Sequence, residues 1–220
     1  MDAIDAALPS LMAGALTTAR IAAVAGILAV VISFSVAMLR AIGPRPVVWL
    51  AAAYVEFFRG TSAFVQIFWA YFVLPMIGLR LSAEAAGIAV LALNVGAYGS
   101  EVVRGAIAAV PEGQHDACRA LGLHRVTAYW TVIIPQALIH TILPMGNLMV
   151  DLVKGTALLS AISVTDLAFA GRQAASVFGE PLAVFTVVLF LYLLVTGPIA
   201  WGAGWLDRRI RSRVALERFG

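Results

Sequence analysis

Residues Ile21–Leu39 read IAAVAGILAVVISFSVAML, a stretch with no charged side chain. About 20 mostly apolar residues, rising ~1.5 Å each as a helix, cover the ~30 Å of hydrocarbon in a bilayer. Within lipid every backbone N–H and C=O must be satisfied by protein, which a helix achieves by itself. The stretch is therefore read as a membrane-spanning helix. Apolar residues begin upstream near Leu11, interrupted by Arg20, so the first span is placed at 11–39. Arg40 and Gly43-Pro44-Arg45-Pro46 end it, because proline lacks the N–H that a continuing helix needs.

Four more runs of this kind follow outward from it, at 60–79, 85–104, 136–162 and 182–206. The whole chain of 220 residues agrees: 62% is hydrophobic, 12% is charged, and the mean hydropathy is +0.95. Soluble domains carry about 25% charged residues and about 45–50% apolar ones, so lipid must cover part of this surface. The expected fold class is all-α, a single integral membrane domain over 1–220 with five transmembrane helices. Residues 105–135 hold no apolar window long enough to span. Residues 163–181, with Asp166, Arg172, Gln173 and Glu180, are read as a polar external loop.

Arginine placement orients the chain. Arg40, Arg45, Arg59, Arg104, Arg119, Arg125 and the five tail arginines from Arg208 onward fall on one side of a five-span arrangement, and Arg80 and Arg172 on the other. The positive-inside rule then expects an external N-terminus and a cytoplasmic C-terminus, with 105–135 cytoplasmic. Val47–Arg59 becomes a cytoplasmic approach to the second span. The formal net charge of +3 invites a nucleic-acid reading, but topology and attraction to membrane lipid account for these arginines. Cys118 is the sole cysteine, which excludes an intrachain disulfide. Asp2 and Asp5 stand where a signal peptide would be basic, so the first helix is expected to remain in the mature chain.

Within 105–135, Pro111-Glu112-Gly113-Gln114-His115-Asp116-Ala117-Cys118-Arg119-Ala120-Leu121-Gly122 reads as a short helix with a hard stop. Proline and an acid suit its first turn, and Gly122 suits a left-handed residue past its end. A second helical stretch from Val126 leads to Pro135, expected to mark the start of the fourth span. Two uses fit these residues: an element that docks into a soluble partner, or an amphipathic helix lying on headgroups, which is the commoner case. His115, Cys118 and His124 match no zinc spacing and have no fourth ligand.

The spacing Asp116-Ala117-Cys118, three residues, Gly122, nine residues, Val132-Ile133-Ile134-Pro135 resembles the EAA loop of binding-protein-dependent ABC importers. Asp116 stands for the glutamate of that pattern and Cys118 for an alanine. Further segments are similar, in order, to polar-amino-acid permeases: Glu56-Phe57-Phe58-Arg59-Gly60-Thr61, Val65-Gln66, Leu74-Pro75, Ala92 to Ala106, Pro135-Gln136-Ala137, Leu143-Pro144, Asn147 and Lys154-Gly155-Thr156. The resemblance implies a type I importer permease in a bacterial inner membrane. It implies two cytosolic ATPase subunits that bind ATP and Mg, a second permease subunit, and an extracytoplasmic solute-binding protein. No cofactor is expected on this chain. Asp116, Ala117, Cys118, Gly122 and Pro135 would form the ATPase-coupling element. The cargo would be a polar amino acid or related zwitterion, with a compatible solute such as ectoine as the alternative.

The residues add limits of their own. Lys154 is the only lysine and lacks the G-x-x-x-x-G-K-[ST] frame, so this chain is not expected to hydrolyse ATP. Asp151 and Lys154 lie three apart inside the fourth span; they share a helix face and either pair with each other or line the pathway. Asn94 and Gln66 are lesser pathway candidates, for which interhelical hydrogen bonding is the commoner use. Glu101–Arg104 and Glu56–Arg59 read as structural i,i+3 pairs. An intramembrane enzyme would need a cluster of acids or histidines that is not visible here, and an ion-coupled carrier would better suit a longer chain with two matching halves.

Overall fold

The computed structural model describes residues 2–217; the side chains of residues 1–3, 211 and 213–220, and so the charges assigned above to Asp2, Arg211, Arg213 and Arg218, fall outside the described residues. Every regular element described is helical: α1 (Asp2–Ile42), α2 (Arg45–Gly60), α3 (Ala63–Phe68), α4 (Ala83–Ala108), α5 (Glu112–Ala120), α6 (Arg125–Ala128), α7 (Ile134–Gly155), α8 (Leu167–Phe178) and α9 (Pro181–Glu217).

The bundle is organised on α1 and α4. Arg20 Nη2 lies 2.8 Å from Glu84 Oε2, the Ser33 hydroxyl lies 3.2 Å from Gly96 O, and Arg40 is ion-paired with Glu101. Each step along α1 thus matches a step in the same direction along α4, so the two helices run parallel. Small residues permit the approach: Ala22, Ala25 and Ala29 pack with Ala86, Val90 and Ala92, and a Cβ on Gly99 would stand 2.1 Å from Ser33 Oγ. Without a hydrophobic drive between helices in lipid, such close backbone contact is what holds them together. From Arg20 to Arg40 the rise is ~30 Å, and from Glu84 to Glu101 ~26 Å. These two charge belts are one hydrocarbon thickness apart.

Parallel α1 and α4 oblige the chain between them to cross back. Four helices are long and apolar enough to span, and Arg45–Gly60 with Ala63–Ile77 form a pair bent by 104° at Gly60-Thr61-Ser62. The return crossing must be this pair, which makes five. The second span therefore differs from the expected 60–79: α2 is half of it rather than a cytoplasmic approach. Its end stands level with Asn94, inside the slab, where Asn94 Nδ2 donates to Phe58 O at 3.0 Å.

Pro135 was expected to mark the start of a span, and the helix instead runs through it. Before Pro75 the helix widens into a π turn at Trp69–Val73, and before Pro135 into another at Tyr129–Ile133. The N–H groups of Leu74 and Ile134 reach back five residues, to Trp69 O and Tyr129 O. Each extra residue makes room for a proline ring that would otherwise meet the carbonyl four positions earlier. The helix accordingly runs unbroken through Pro135, from Arg125 to Ile162, where the sequence led us to expect a fresh start.

The supposed polar loop at 163–181 contains α8. Asp166 caps it, Oδ1 accepting from Phe169 N at 2.8 Å, and Leu167, Ala170 and Ala174 are buried against Ala7, Leu11 and Ala15 of α1 and Val184 and Val188 of α9. At the other end of α9, Ala203 meets Gly146 of α7. α1 thus begins at the Arg20 end of the bundle and α9 runs to the Arg40 end.

Candidate functional site

The α5 segment ends as its sequence foretold. Gly122 is left-handed at φ +66°; its N–H donates to Arg119 O at 3.0 Å, and Leu123 N–H donates to Cys118 O at 3.1 Å. This is a Schellman turn, which satisfies two carbonyls the helix end would leave unpaired. Asp116, Ala117, Leu121, Gly122 and Pro135 are exposed. Asp116 Oδ1 lies 3.2 Å from Arg119 on the same helix. Cys118 differs from the other candidates of the loop. It is buried, and with His115, Leu123, Ala128, Tyr129 and Ile133 it lines a crevice of about 140 Å³ under α5. Its thiol cannot touch a docking partner; it seats α5 on the bundle, as the small side chain expected at this position would.

Asp151 and Lys154 do form a pair, Nζ to Oδ1 at 3.5 Å, and both side chains are more than three-fifths exposed. Their depth follows from neighbours. Met149 Sδ lies against Gly26, and Gly155 against Leu91, so the pair sits roughly 10 Å inside the Arg20–Glu84 belt by helical rise. A charged side chain facing hydrocarbon there costs about 2.5–3.5 kcal/mol on insertion scales. This face of α7 is therefore not a lipid face. The exposed leucines and phenylalanines of α9, such as Leu182, Phe190 and Leu194, are suited to that role.

Gln66 and Asn94 are brought together. Asn94 Nδ2 donates to Gln66 Oε1 at 3.1 Å as well as to Phe58 O; Gln66 Nε2 donates to Thr61 Oγ1 at 2.6 Å and Phe58 O at 3.1 Å. The Thr61 hydroxyl donates to Phe57 O at 2.7 Å, and Tyr98 OH to Arg59 O at 3.4 Å. Three carbonyls left free where α2 stops are thereby satisfied by side chains, which a break inside a membrane requires. Both amides take part in interhelical hydrogen bonding, the use expected above as the commoner one for them. Glu56 and Arg59 do not pair; the Arg59 guanidinium lies 5.4 Å from the centre of the Tyr98 ring.

Two assemblies were invisible to spacing. Glu101 holds Arg104, as its i,i+3 position suggested, with Nη2 to Oε2 at 2.5 Å, but it also holds Arg40 from α1. Asp166 is fully buried among Thr18, Thr156 and Tyr192. An acid directly before the apolar series Leu167, Ala170 and Ala174 is a helix-start signal that could have revealed α8.

The family described as "binding-protein-dependent transport system inner membrane component" matches residues 29–212. A probable amino-acid ABC transporter permease protein of Sinorhizobium fredii is 41% identical over 171 residues, 75% of this chain and 70% of its own. A probable glutamine ABC transporter permease protein of Bacillus subtilis is 35% identical, covering 83% and 84%, and the glutamine transport system permease protein of Escherichia coli is 31% identical, covering 96% and 97%. Among solved structures, an amino acid ABC transporter with histidines superposes with a TM-score of 0.85 at 29% identity, over 92% of this chain and 94% of that one. An inward-facing methionine ABC transporter gives 0.79 at 23% identity over 92% and 97%, a likeness of fold.

Proposed function

This chain belongs to the family of binding-protein-dependent inner-membrane transport components, and from that premise we propose how it works as the permease subunit of an ATP-driven importer. It pairs with a second permease subunit, a copy of itself or a homologous chain, and two ATPase subunits that bind ATP and Mg drive the pair. An extracytoplasmic binding protein delivers a polar amino acid or related zwitterion, the cargo class to which the names of its relatives point. The Arg40 end, which also carries Arg45, Arg104, Arg125 and Arg208, faces the cytoplasm in keeping with the positive-inside rule, and the N-terminus is external.

The observation that carries this reading is the exposed hairpin of α5 and α6, joined without a break to the pathway candidates. Asp116, Ala117, Leu121 and Gly122 offer a surface to an ATPase cleft. From Arg125 a continuous helix runs ~39 Å to Asp151. A shift of the hairpin when the ATPases close is passed along that rod to the Asp151–Lys154 face. There the loose, exposed pair can open, Lys154 taking the carboxylate of a zwitterion and Asp151 its ammonium. The second permease subunit covers this face, and so keeps the charges from lipid.

Co-purification tests the coupling half. The wild-type chain should bring down an ATPase carrying the phosphate-binding loop, and Gly122→Val or Asp116→Lys should lose it. Retention of both ATPase and uptake in these variants would sink the assignment. Radiolabelled glutamine uptake tests the pathway half: Lys154→Gln and Asp151→Asn should cut transport while leaving ATPase association intact.

A further inference from the structure

Near the Arg20 end, α1, the segment after α7, the N-terminus of α8 and α9 enclose four polar side chains. Thr18, Thr156 and Asp166 have no exposed surface, and the Tyr192 hydroxyl is equally enclosed. Asp166 Oδ1 is engaged in capping α8, but Oδ2 is buried with no partner, and so is the Tyr192 hydroxyl. No cation pairs directly with the carboxyl: Arg172 is near enough to act on it through space, but its guanidinium donates to Ser160 O at 3.1 Å, and Asp166 is in none of the ion pairs of the described residues. Thr18 and Thr156 are near neighbours of the Tyr192 hydroxyl, which itself has no hydrogen-bond partner. Buried polar atoms are almost always paired, and two orphans in one enclosure call for a shared partner.

The inventory of donors and acceptors identifies that partner. Tyr192 has one O–H to give. Thr18 accepts from Leu167 N at 3.1 Å and still has its own O–H. Thr156 has given its proton to Val153 O at 2.8 Å and keeps a free lone pair. Asp166 Oδ2 offers lone pairs only. Two donors and two acceptors are what one water molecule satisfies, accepting from Tyr192 and Thr18 and donating to Asp166 and Thr156. A hard cation would answer the oxygens and leave both hydroxyl protons unplaced, and four oxygens fall short of the six or more that magnesium or calcium gather.

We propose that Thr18, Thr156, Asp166 and Tyr192 form a binding site for one internal water molecule, which ties residues 156–166 to α1 and α9. The tie falls where the backbone is least regular. Thr156–Ile162 is a seven-residue 3₁₀ stretch, long for that geometry, and it stops at Ser163, the only non-glycine residue with positive φ among those described. This segment directly follows the Asp151–Lys154 pair, so the water holds the outer continuation of the α7 rod in place.

A density map of the purified transporter complex at a resolution that shows waters is the direct test. A peak ~2.6–3.2 Å from Asp166 Oδ2, the Tyr192 hydroxyl and at least one threonine hydroxyl supports the site. Tyr192 bonded straight to Asp166 with no peak overturns it. So does a peak at the ~2.3–2.6 Å typical of calcium, or one whose occupancy follows an added cation. Thermal unfolding of the same complex gives an independent reading. Tyr192→Phe and Thr156→Val should each lower the melting temperature, and the double variant should fall short of their sum because both lose the same water. Strictly additive shifts would refute a shared ligand.

Discussion

At the scale of single residues, two glycines, one inside α5 and one just past its end, make opposite predictions. Gly122 is held at φ +66° with open space where a Cβ would stand. Gly122→Ala therefore costs backbone strain alone, ~1–2 kcal/mol. Gly113 lies in regular helix with nothing within 4 Å; Gly113→Ala should be neutral or stabilise by ~0.4–1 kcal/mol. Denaturant titration of the two variants checks the contrast, and equal effects would mean the turn is not built as described. Asp166 makes a prediction in pH. Burial is the largest influence and raises its pKa above the ordinary 3.8, outweighing the α8 amides and Arg172, which lower it. The folded chain then holds the proton more tightly than the unfolded chain. Stability from this group is full below about 3.8 and is lost as pH rises through the higher folded value. The melting temperature should fall across that window, and Asp166→Asn should flatten the slope.

At the scale of elements, the broken crossing is the part most exposed to test. Phe58 O has Asn94 and Gln66 as donors, and no helical N–H can replace them past the bend. Asn94→Leu removes one donor and leaves Gln66 Oε1 without its partner at a partly buried site. A loss of ~1–3 kcal/mol is expected, read as a lower melting temperature and faster proteolysis near Thr61; no change would show that the bend is stabilised elsewhere. This element was also the least legible in advance. Glu56, Arg59 and Gly60 gave the signs of a helix end before a span, and hydropathy alone cannot distinguish a helix end outside the membrane from one whose carbonyls are met inside it. Pro135 misled for a related reason. Proline's missing N–H is local and visible, whereas the π turn that absorbs it depends on what surrounds the helix.

For the whole molecule, the two charge belts fix α1 against α4, and they should differ in energetic weight. Glu101 and Arg40 are each about one-fifth exposed at the side chain, while Arg20 and Glu84 are 61% and 40% exposed. Glu101→Gln leaves two arginines short of their acceptor and should cost ~1.5–3 kcal/mol. Arg20→Gln should cost no more than ~1 kcal/mol, as exposed pairs do. Unfolding curves in detergent compare them, and a larger effect at Arg20 would reverse the assignment. The belts also mark the boundary between what chain order revealed and what it did not. Sequence alone determined the membrane setting, the all-helical class, the short helix with its stop at Gly122, and the shared helix face of Asp151 and Lys154. Each of these is written in composition or in contacts within one turn of helix. Tertiary structure decided that α1 and α4 run parallel, that the second crossing is broken, that Cys118 faces inward, and that Gln66 and Asn94 hold a bend. It also decided that Asp166 meets Thr18 and Tyr192. Cys118 aside, those facts rest on contacts such as Gln66 with Asn94 and Thr18 with Leu167, 28 and 149 residues apart, and only the packing of small side chains between helices determines which distant residues share a depth.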